Sequence, residues 1–110
     1  DLLALLNALY GDGQRAPGIL SDASRRALDT VYVPEETYAY GGRVRTLTLG
    51  GRDETVVWHS GSSGPFKSRM SRVLATGLTV ISLSNSGASP TETGALAEAI
   101  LGAESLSALP

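Results

Sequence analysis

The first thirty residues place their hydrophobic positions at helical spacing. Five leucines follow Asp1 in this pattern: Leu2, Leu3, Leu5, Leu6 and Leu9. Asp1 stands where an N-cap belongs, and Gly11-Asp12-Gly13 ends the stretch. Ser21 is placed to cap a second helix over residues 22–28. Residues 1–30 are therefore expected to form two short helices, and a chain that opens on a helix is expected to be cut from a longer protein.

From about residue 31 the apolar positions alternate with a period of two, which is typical of β-strands. The predicted strands cover residues 37–40, 44–49, 55–60, 68–75 and 78–84, with 37–40 continuing into or pairing with 44–49 around Gly41-Gly42. Turn sequences at Gly50-Gly51 and Thr76-Gly77 leave only short connections, and these require antiparallel pairing. Residues 31–86 are expected to form an antiparallel meander of four or five strands.

The sequence Ser89-Pro90-Thr91-Glu92 is a capping box with proline at the first helical position, and it predicts a C-terminal helix within residues 87–104. The expected apolar face of this helix is Leu96, Ala99, Ile100 and Ala103. Small residues at 94, 95 and 97 would allow close approach to a sheet. The chain is thus expected to be one α+β domain, with two N-terminal helices, the sheet, and a C-terminal helix packed on one face.

Composition narrows the classes of partner. The formal charge is −2 with acids and bases interspersed, so no nucleic-acid partner and no anionic membrane surface are expected. No run reaches the roughly 18 apolar residues that a membrane span needs. There is no cysteine, and His59 is the only histidine, so neither a metal nor another cofactor is expected. No signal peptide is visible, and the compartment stays open.

The most informative stretch runs from Val56 through Trp58, His59, Ser60, Gly61 and Ser62 to Phe66. A β-branched run that ends in small polar residues and glycine suits a strand that another backbone approaches closely. As the only histidine, His59 can be a functional residue, or it can be a partly buried structural histidine with one hydrogen bond. Residues 61–65 can equally form a hairpin loop. They are not a Gly-x-Ser-x-Gly nucleophile elbow, because position 65 is proline.

His59-Ser60-Gly61, the Gly64-x-Phe66-x-Ser68 spacing, the strand before Asn85 and the helix opening at Asp1 together resemble the C-terminal part of the serine β-lactamase-like hydrolases. This superfamily includes class C β-lactamases, DD-peptidases, D-aminopeptidases and related esterases. His59-Ser60-Gly61 corresponds to its third motif, usually Lys-Thr-Gly or His-x-Gly. The resemblance implies that His59 faces the cleft and that Ser60 binds a substrate carboxylate. It also implies that the Ser62 N–H is an oxyanion-hole donor and that the Ser62 carbonyl pairs with the substrate.

Two motifs of that family are missing from this chain. The nucleophile lies in Ser-x-x-Lys, but the single lysine, Lys67, has Gly64 three residues before it. No tyrosine opens a Tyr-x-Asn or Tyr-x-Ser motif. The expectation is therefore a substrate-binding part without a nucleophile or base, inactive alone. Its partners would be the missing N-terminal part of the enzyme and an amide, ester or β-lactam substrate, in the periplasm or outside the cell.

The alternative is a non-enzymatic module whose open sheet edge binds a peptide or a second copy of the chain as a homodimer.

Four further side chains receive structural interpretations. Arg69 and Arg72 are expected on opposite faces of their strand, serving solubility and edge protection. Tyr38 and Tyr40 are expected to cover one side of the sheet.

Overall fold

The computed structural model describes residues 1–11 and 18–107. The helices are α1 (Leu2–Tyr10), α2 (Asp22–Asp29) and α3 (Pro90–Ser107), with a 3-10 turn at Pro34–Glu36. The strands are β1 (Arg43–Leu49), β2 (Arg52–Ser63), β3 (Phe66–Val73) and β4 (Thr79–Ser84). They pair antiparallel in the order β1-β2-β3-β4, so the α+β class and the meander are confirmed, with four strands.

Local signals account for the helix starts. The Ser21 hydroxyl accepts the Ser24 N–H at 3.2 Å, as expected of an N-cap. The capping box before α3 also forms: Ser89 Oγ accepts the Glu92 N–H, and Glu92 Oε2 accepts the Ser89 N–H. This backbone hydrogen bond lowers the pKa of Glu92. Asp1 is the N-cap residue of α1 but makes no side-chain capping bond. In the Gly11-Asp12-Gly13 sequence predicted to end this helix, Gly11 is the C-cap, whereas residues 12 and 13 lie outside the described residues.

Residues 37–40 are not a strand, contrary to expectation. Pro34 opens a 3-10 turn, and Thr37 ends it in the left-handed region at φ 57°. Tyr38 then makes only isolated bridges, to Val33 and to Arg43. Because the chain reverses at this point, the alternation of residues 37–40 does not extend into a ladder.

The β2–β3 hairpin is longer than predicted. Strand pairing continues to Ser63 opposite Phe66, so only Gly64 and Pro65 form the turn. Gly64 has φ 54°, a conformation that favours glycine. The loop interpretation of residues 61–65 is therefore wrong for residues 61–63, which are strand.

One sheet face packs against α3, and it is called the α3 face here. Its core consists of Leu49, Val56, Val73, Val80, Ala97 and Leu101. The predicted apolar face of the helix is wrong: Leu96, Ala99, Ile100 and Ala103 are exposed, and the buried positions are Thr93, Gly94, Ala97 and Leu101. Gly94 lies where the Arg69 side chain stands between the layers, whereas Ala97 and Leu101 belong to the core cluster. An added Cβ at Gly94 would be 3.6 Å from Nη1 of Arg69.

The opposite face, called the α1 face, carries the N-terminal helices. Leu6 and Val57 are buried on this side. Arg72 links α1 to the sheet by donating from Nη1 to Asn7 Oδ1 at 3.0 Å and to Thr79 Oγ1 at 2.8 Å. It also donates from Nη2 to the Gly11 carbonyl.

The arginines of β3 do point to opposite faces, but their expected surface role is wrong. Arg69 and Arg72 are only 5% and 2% exposed. Arg69 lies against α3 and Arg72 against α1, and these helices shield both guanidinium groups from water. None of the helices formed by residues 1–11 and 18–107 is long and apolar enough to cross a membrane.

Candidate functional site

The second strand has an unpaired backbone edge at its C-terminal end. Strand β1 begins at Arg43, which pairs with Trp58, and it extends no further along β2. Strand β2 continues to Ser63 and is paired there only with β3. Within the described part of the chain, residues 59–63 therefore have one side on which no strand lies, and this stretch is called the open edge.

The orientation of the backbone groups at this edge follows from the strand alternation. Leu74 donates its N–H to the Thr55 carbonyl at 3.0 Å, which turns the Thr55 carbonyl toward β3. Residues at odd positions along β2 share that direction, and residues at even positions point the other way. Ser60 and Ser62 consequently direct their N–H and C=O groups to the open edge. Their spacing of two residues matches the repeat of an added strand.

The predicted site residues lie together along this edge. His59 and Gly61 project from the α1 face, whereas Ser60 and Ser62 project from the α3 face. Across β3, Ser62 pairs with Lys67 and Ser60 pairs with Arg69. The guanidinium opposite Ser60, the serine expected to bind a carboxylate, is buried against Trp58, and the Lys67 ammonium donates to the Gly64 carbonyl.

His59 is exposed and makes one side-chain hydrogen bond. Its Nε2 lies 2.7 Å from the Tyr38 hydroxyl, with ring centroids 5.7 Å apart. The prediction that His59 is partly buried is therefore wrong, whereas the predicted single hydrogen bond is present. The expected covering of the sheet by Tyr38 does not include this contact, because nothing in a spacing of 21 residues indicates it. Tyr40 instead stacks on Tyr32 at 4.5 Å.

Trp58, the residue before His59, lies among three guanidinium groups on the α3 face. The centres of these groups are 3.7 Å (Arg69), 5.4 Å (Arg45) and 5.6 Å (Arg43) from the indole centroid. Glu98 of α3 pairs with Arg45 and lies 3.8 Å from Arg69. Burial lowers the pKa of Arg69, and the neighbouring Arg45 lowers it further. Through these contacts, β2 is attached to α3 just before the open edge begins.

Two cavities adjoin the edge. The larger, of about 630 Å³, is lined by residues 61–63, 66–68 and 83–85. Its apolar part comes from Phe66 and Leu83, which are 61% and 72% exposed. The smaller, of about 360 Å³, touches His59, Ser60 and Gly61. Both volumes fall in the range of small-ligand sites, roughly 300–1,000 Å³.

Gly61 has a structural requirement besides the approach of another backbone. An added Cβ would stand 2.6 Å from Oγ of Ser68, the residue opposite it on β3. Glycine therefore makes room for a serine side chain beside the cavity. Since a serine hydroxyl can rotate, alanine at position 61 needs only a small adjustment.

The described residues contain no group of three His, Cys, Asp or Glu side chains that could hold a metal ion. What the open edge can do chemically is to bind: it offers paired backbone donors and acceptors, one imidazole and an adjoining cavity with both polar and apolar lining residues. No family model, curated protein or solved structure matches the chain.

Proposed function

We propose that this chain is the substrate-binding part of a β-lactamase-like serine hydrolase, and that amide, ester or β-lactam substrates bind along the open edge of β2. The observation that carries the proposal is the outward direction of the N–H and C=O groups of Ser60 and Ser62 where no strand of the described chain covers them. The resemblance of His59-Ser60-Gly61 to the third family motif supports it. So does the order of meander and C-terminal helix.

In this proposal the substrate lies as an added strand. The Ser62 carbonyl accepts a substrate N–H, and the Ser62 N–H donates to the reacting carbonyl oxygen as negative charge develops there. His59 borders the same position from the α1 face. The nucleophilic serine, its lysine and the family tyrosine would come from a part of the enzyme outside these 110 residues.

The first test is the coding sequence upstream of Asp1, which should contain Ser-x-x-Lys and, after it, Tyr-x-Asn or Tyr-x-Ser.

The second test uses the intact enzyme with a chromogenic cephalosporin and a p-nitrophenyl ester. Ser62→Pro removes the donor at the open edge while leaving the ladder to β3, because the Ser62 N–H points away from β3. Loss of one oxyanion donor lowers kcat by about 10²–10³.

Ser62→Ala is the matched control, because it keeps the N–H and removes only the hydroxyl. It should retain kcat within a few-fold, and thermal unfolding should show both variants folded. Wild-type kcat in a folded Ser62→Pro enzyme would contradict the proposal.

The second candidate is a non-enzymatic module that binds a peptide or a second copy of the chain through the same edge. The exposure of Phe66 and Leu83 beside the edge favours it. Binding without turnover by the intact protein, together with an upstream sequence lacking Ser-x-x-Lys, would select this candidate over the hydrolase.

The 110-residue chain alone should not hydrolyse either chromogenic substrate, because a serine without its activating partner loses orders of magnitude in rate. The measurement is absorbance release over hours at high protein concentration. Turnover that a serine-directed acylating inhibitor abolishes would show that a nucleophile is present after all.

A further inference from the structure

The Tyr38 hydroxyl is held in place against His59 by the backbone around it. The Tyr38 N–H donates to the Val33 carbonyl at 3.2 Å, and the Tyr38 carbonyl accepts from Tyr32 N–H at 2.8 Å and Val33 N–H at 3.2 Å. The Arg43 guanidinium lies 4.6 Å from the centroid of the phenol ring. The tyrosine is therefore anchored at its backbone and its ring, and its hydroxyl reaches the imidazole from a fixed direction.

This contact decides where neutral His59 carries its proton. A neutral imidazole has one N–H donor and one acceptor nitrogen. A phenol O–H is more acidic than a neutral imidazole N–H and is the stronger donor of the two. Of the two possible directions across 2.7 Å, donation from the Tyr38 hydroxyl to Nε2 uses the stronger donor and leaves the proton of the ring on Nδ1. Within residues 1–11 and 18–107 no protein group bonds Nδ1, and the side chain is exposed.

We propose that Tyr38 is a positioning residue for His59, which it holds in the Nδ1–H form so that the imidazole presents a hydrogen-bond donor, and not a base, to a ligand at the open edge. The assignment of this ligand rests on the proposed function of the open edge. The ligand is an extended, peptide-like molecule that places a carbonyl or carboxylate oxygen on the α1 face of the open edge.

The donor role has a direct consequence for mechanism. A histidine whose Nε2 lone pair is occupied by a phenol cannot take a proton at that atom unless the phenol turns away. His59 would thus orient an acceptor group of the ligand, beside the backbone groups of Ser60 and Ser62, while proton transfer belongs to other groups of the enzyme.

The tautomer can be measured on the 110-residue chain, because His59 is its only histidine and gives one set of ring signals. Long-range ¹H–¹⁵N spectra at about pH 8.5, where imidazoles are ordinarily neutral, should show a protonated Nδ1 and an acceptor Nε2. Tyr38→Phe should bring up a population with the proton on Nε2. Tyr40→Phe is the control and should leave the spectrum unchanged, because Tyr40 stacks on Tyr32. A proton on Nε2 in the wild type, or an unchanged spectrum in Tyr38→Phe, would overturn the positioning role.

The ligand part is tested with N-acetyl-D-alanyl-D-alanine as the probe, followed through the amide signals of Ser60 and Ser62. Tyr38→Phe should weaken binding about 5- to 10-fold, the effect of one misplaced hydrogen bond, and Tyr40→Phe should not. Equal affinity of Tyr38→Phe and wild type would overturn the donor role. Failure of the wild-type chain to bind the probe would overturn the ligand assignment together with the proposed edge, whereas the tautomer spectra still decide the role of Tyr38.

Discussion

At the residue scale, the two arginines of β3 show how polar side chains can be part of the interior. Each guanidinium is almost fully buried, and each is satisfied differently. Arg69 stacks on Trp58 and donates from Nε to Ser71 Oγ at 3.2 Å, whereas Arg72 bonds two side chains and a backbone carbonyl. A buried cation is tolerated only with such partners, so these contacts are expected to matter for stability.

Replacing Arg72 with methionine should destabilise the fold by about 2–4 kcal/mol, because Asn7 and the Gly11 carbonyl lose their donor. Urea unfolding followed by tryptophan fluorescence measures the change. Arg52→Met, at an exposed position at the start of β2, is the control and should stay within about 0.5 kcal/mol. Equal effects of the two substitutions would show that Arg72 does not link α1 to the sheet.

Asp29 is a residue whose charge opposes folding. It is the last residue of α2, where the helix dipole disfavours an anion, and burial raises its pKa, although Tyr10 and Arg25 act in the opposite direction. Burial likewise raises the pKa of Tyr10 to about 12, with Asp29 adding to the rise. Because the folded-state pKa of Asp29 lies above its unfolded value, its contribution to stability is present at acid pH and is lost as the pH rises through the folded pKa.

Asp29→Asn should therefore stabilise the protein at pH 7 by up to about 1 kcal/mol. The difference should vanish at about pH 3, where carboxylates are protonated. Urea unfolding at both pH values is the measurement. Asp22→Asn, at the other end of the same helix, is a control of opposite sign, because it removes an anion from the N-terminus and a salt bridge to Arg25. Destabilisation by Asp29→Asn at pH 7 would mean that the fold uses the carboxylate.

At the element scale, α3 buries two small residues, Gly94 and Ala97, beside Thr93 and Leu101, so its stability depends on backbone propensity as well as on packing. Gly102 lies within the helix, and an added Cβ there would have no atom within 4 Å. Gly102→Ala should raise the free energy of unfolding by about 0.5–1 kcal/mol.

Gly50→Ala is the matched control, at a glycine with φ 57° where an added Cβ would lie 3.1 Å from the Ser105 carbonyl oxygen. It should lower the free energy of unfolding by about 1 kcal/mol or more. A loss of stability in Gly102→Ala would indicate that other atoms lie within 4 Å of the added Cβ.

At the scale of the whole molecule, the sheet is covered unevenly. The α3 face has a closed core, whereas apolar side chains remain exposed on α1 and near the β2–β3 turn: Leu2, Leu3, Leu5, Phe66 and Leu83. Such surface commonly marks a contact with another protein or another part of the same protein. In the proposed enzyme the N-terminal part would cover it.

The 110-residue chain should therefore self-associate at concentrations where a protein of 11.4 kDa ordinarily stays monomeric. Sedimentation over a wide concentration range is the measurement. Phe66→Ser with Leu83→Ser should weaken association at least several-fold, and Leu106→Ser, an exposed leucine of α3, serves as the control. A single monomeric species for the wild type at the highest concentration would show that this surface needs no partner.

The sequence by itself determined what depends on near neighbours. Ser21 and Ser89 mark helix starts because a capping bond spans only three residues. The alternation of β2 places His59 and Ser60 on opposite faces whatever lies around them. Gly50-Gly51 and Thr76-Gly77 indicate antiparallel pairing because short connections permit nothing else.

Only the tertiary structure decided what depends on residues distant in the chain. No local rule brings Tyr38 to His59, delays the start of β1 to Arg43 so that the edge beyond Trp58 stays open, or shields Arg69 and Arg72 beneath helices. The buried face of α3 differs from the predicted one for the same reason: Gly94 lies against Arg69 of β3, and Ala97 and Leu101 pack in the core on the sheet, contacts that no spacing along the chain reveals. Burial is a property of the assembled layers, and hydropathy along the chain does not record which layer a residue will meet.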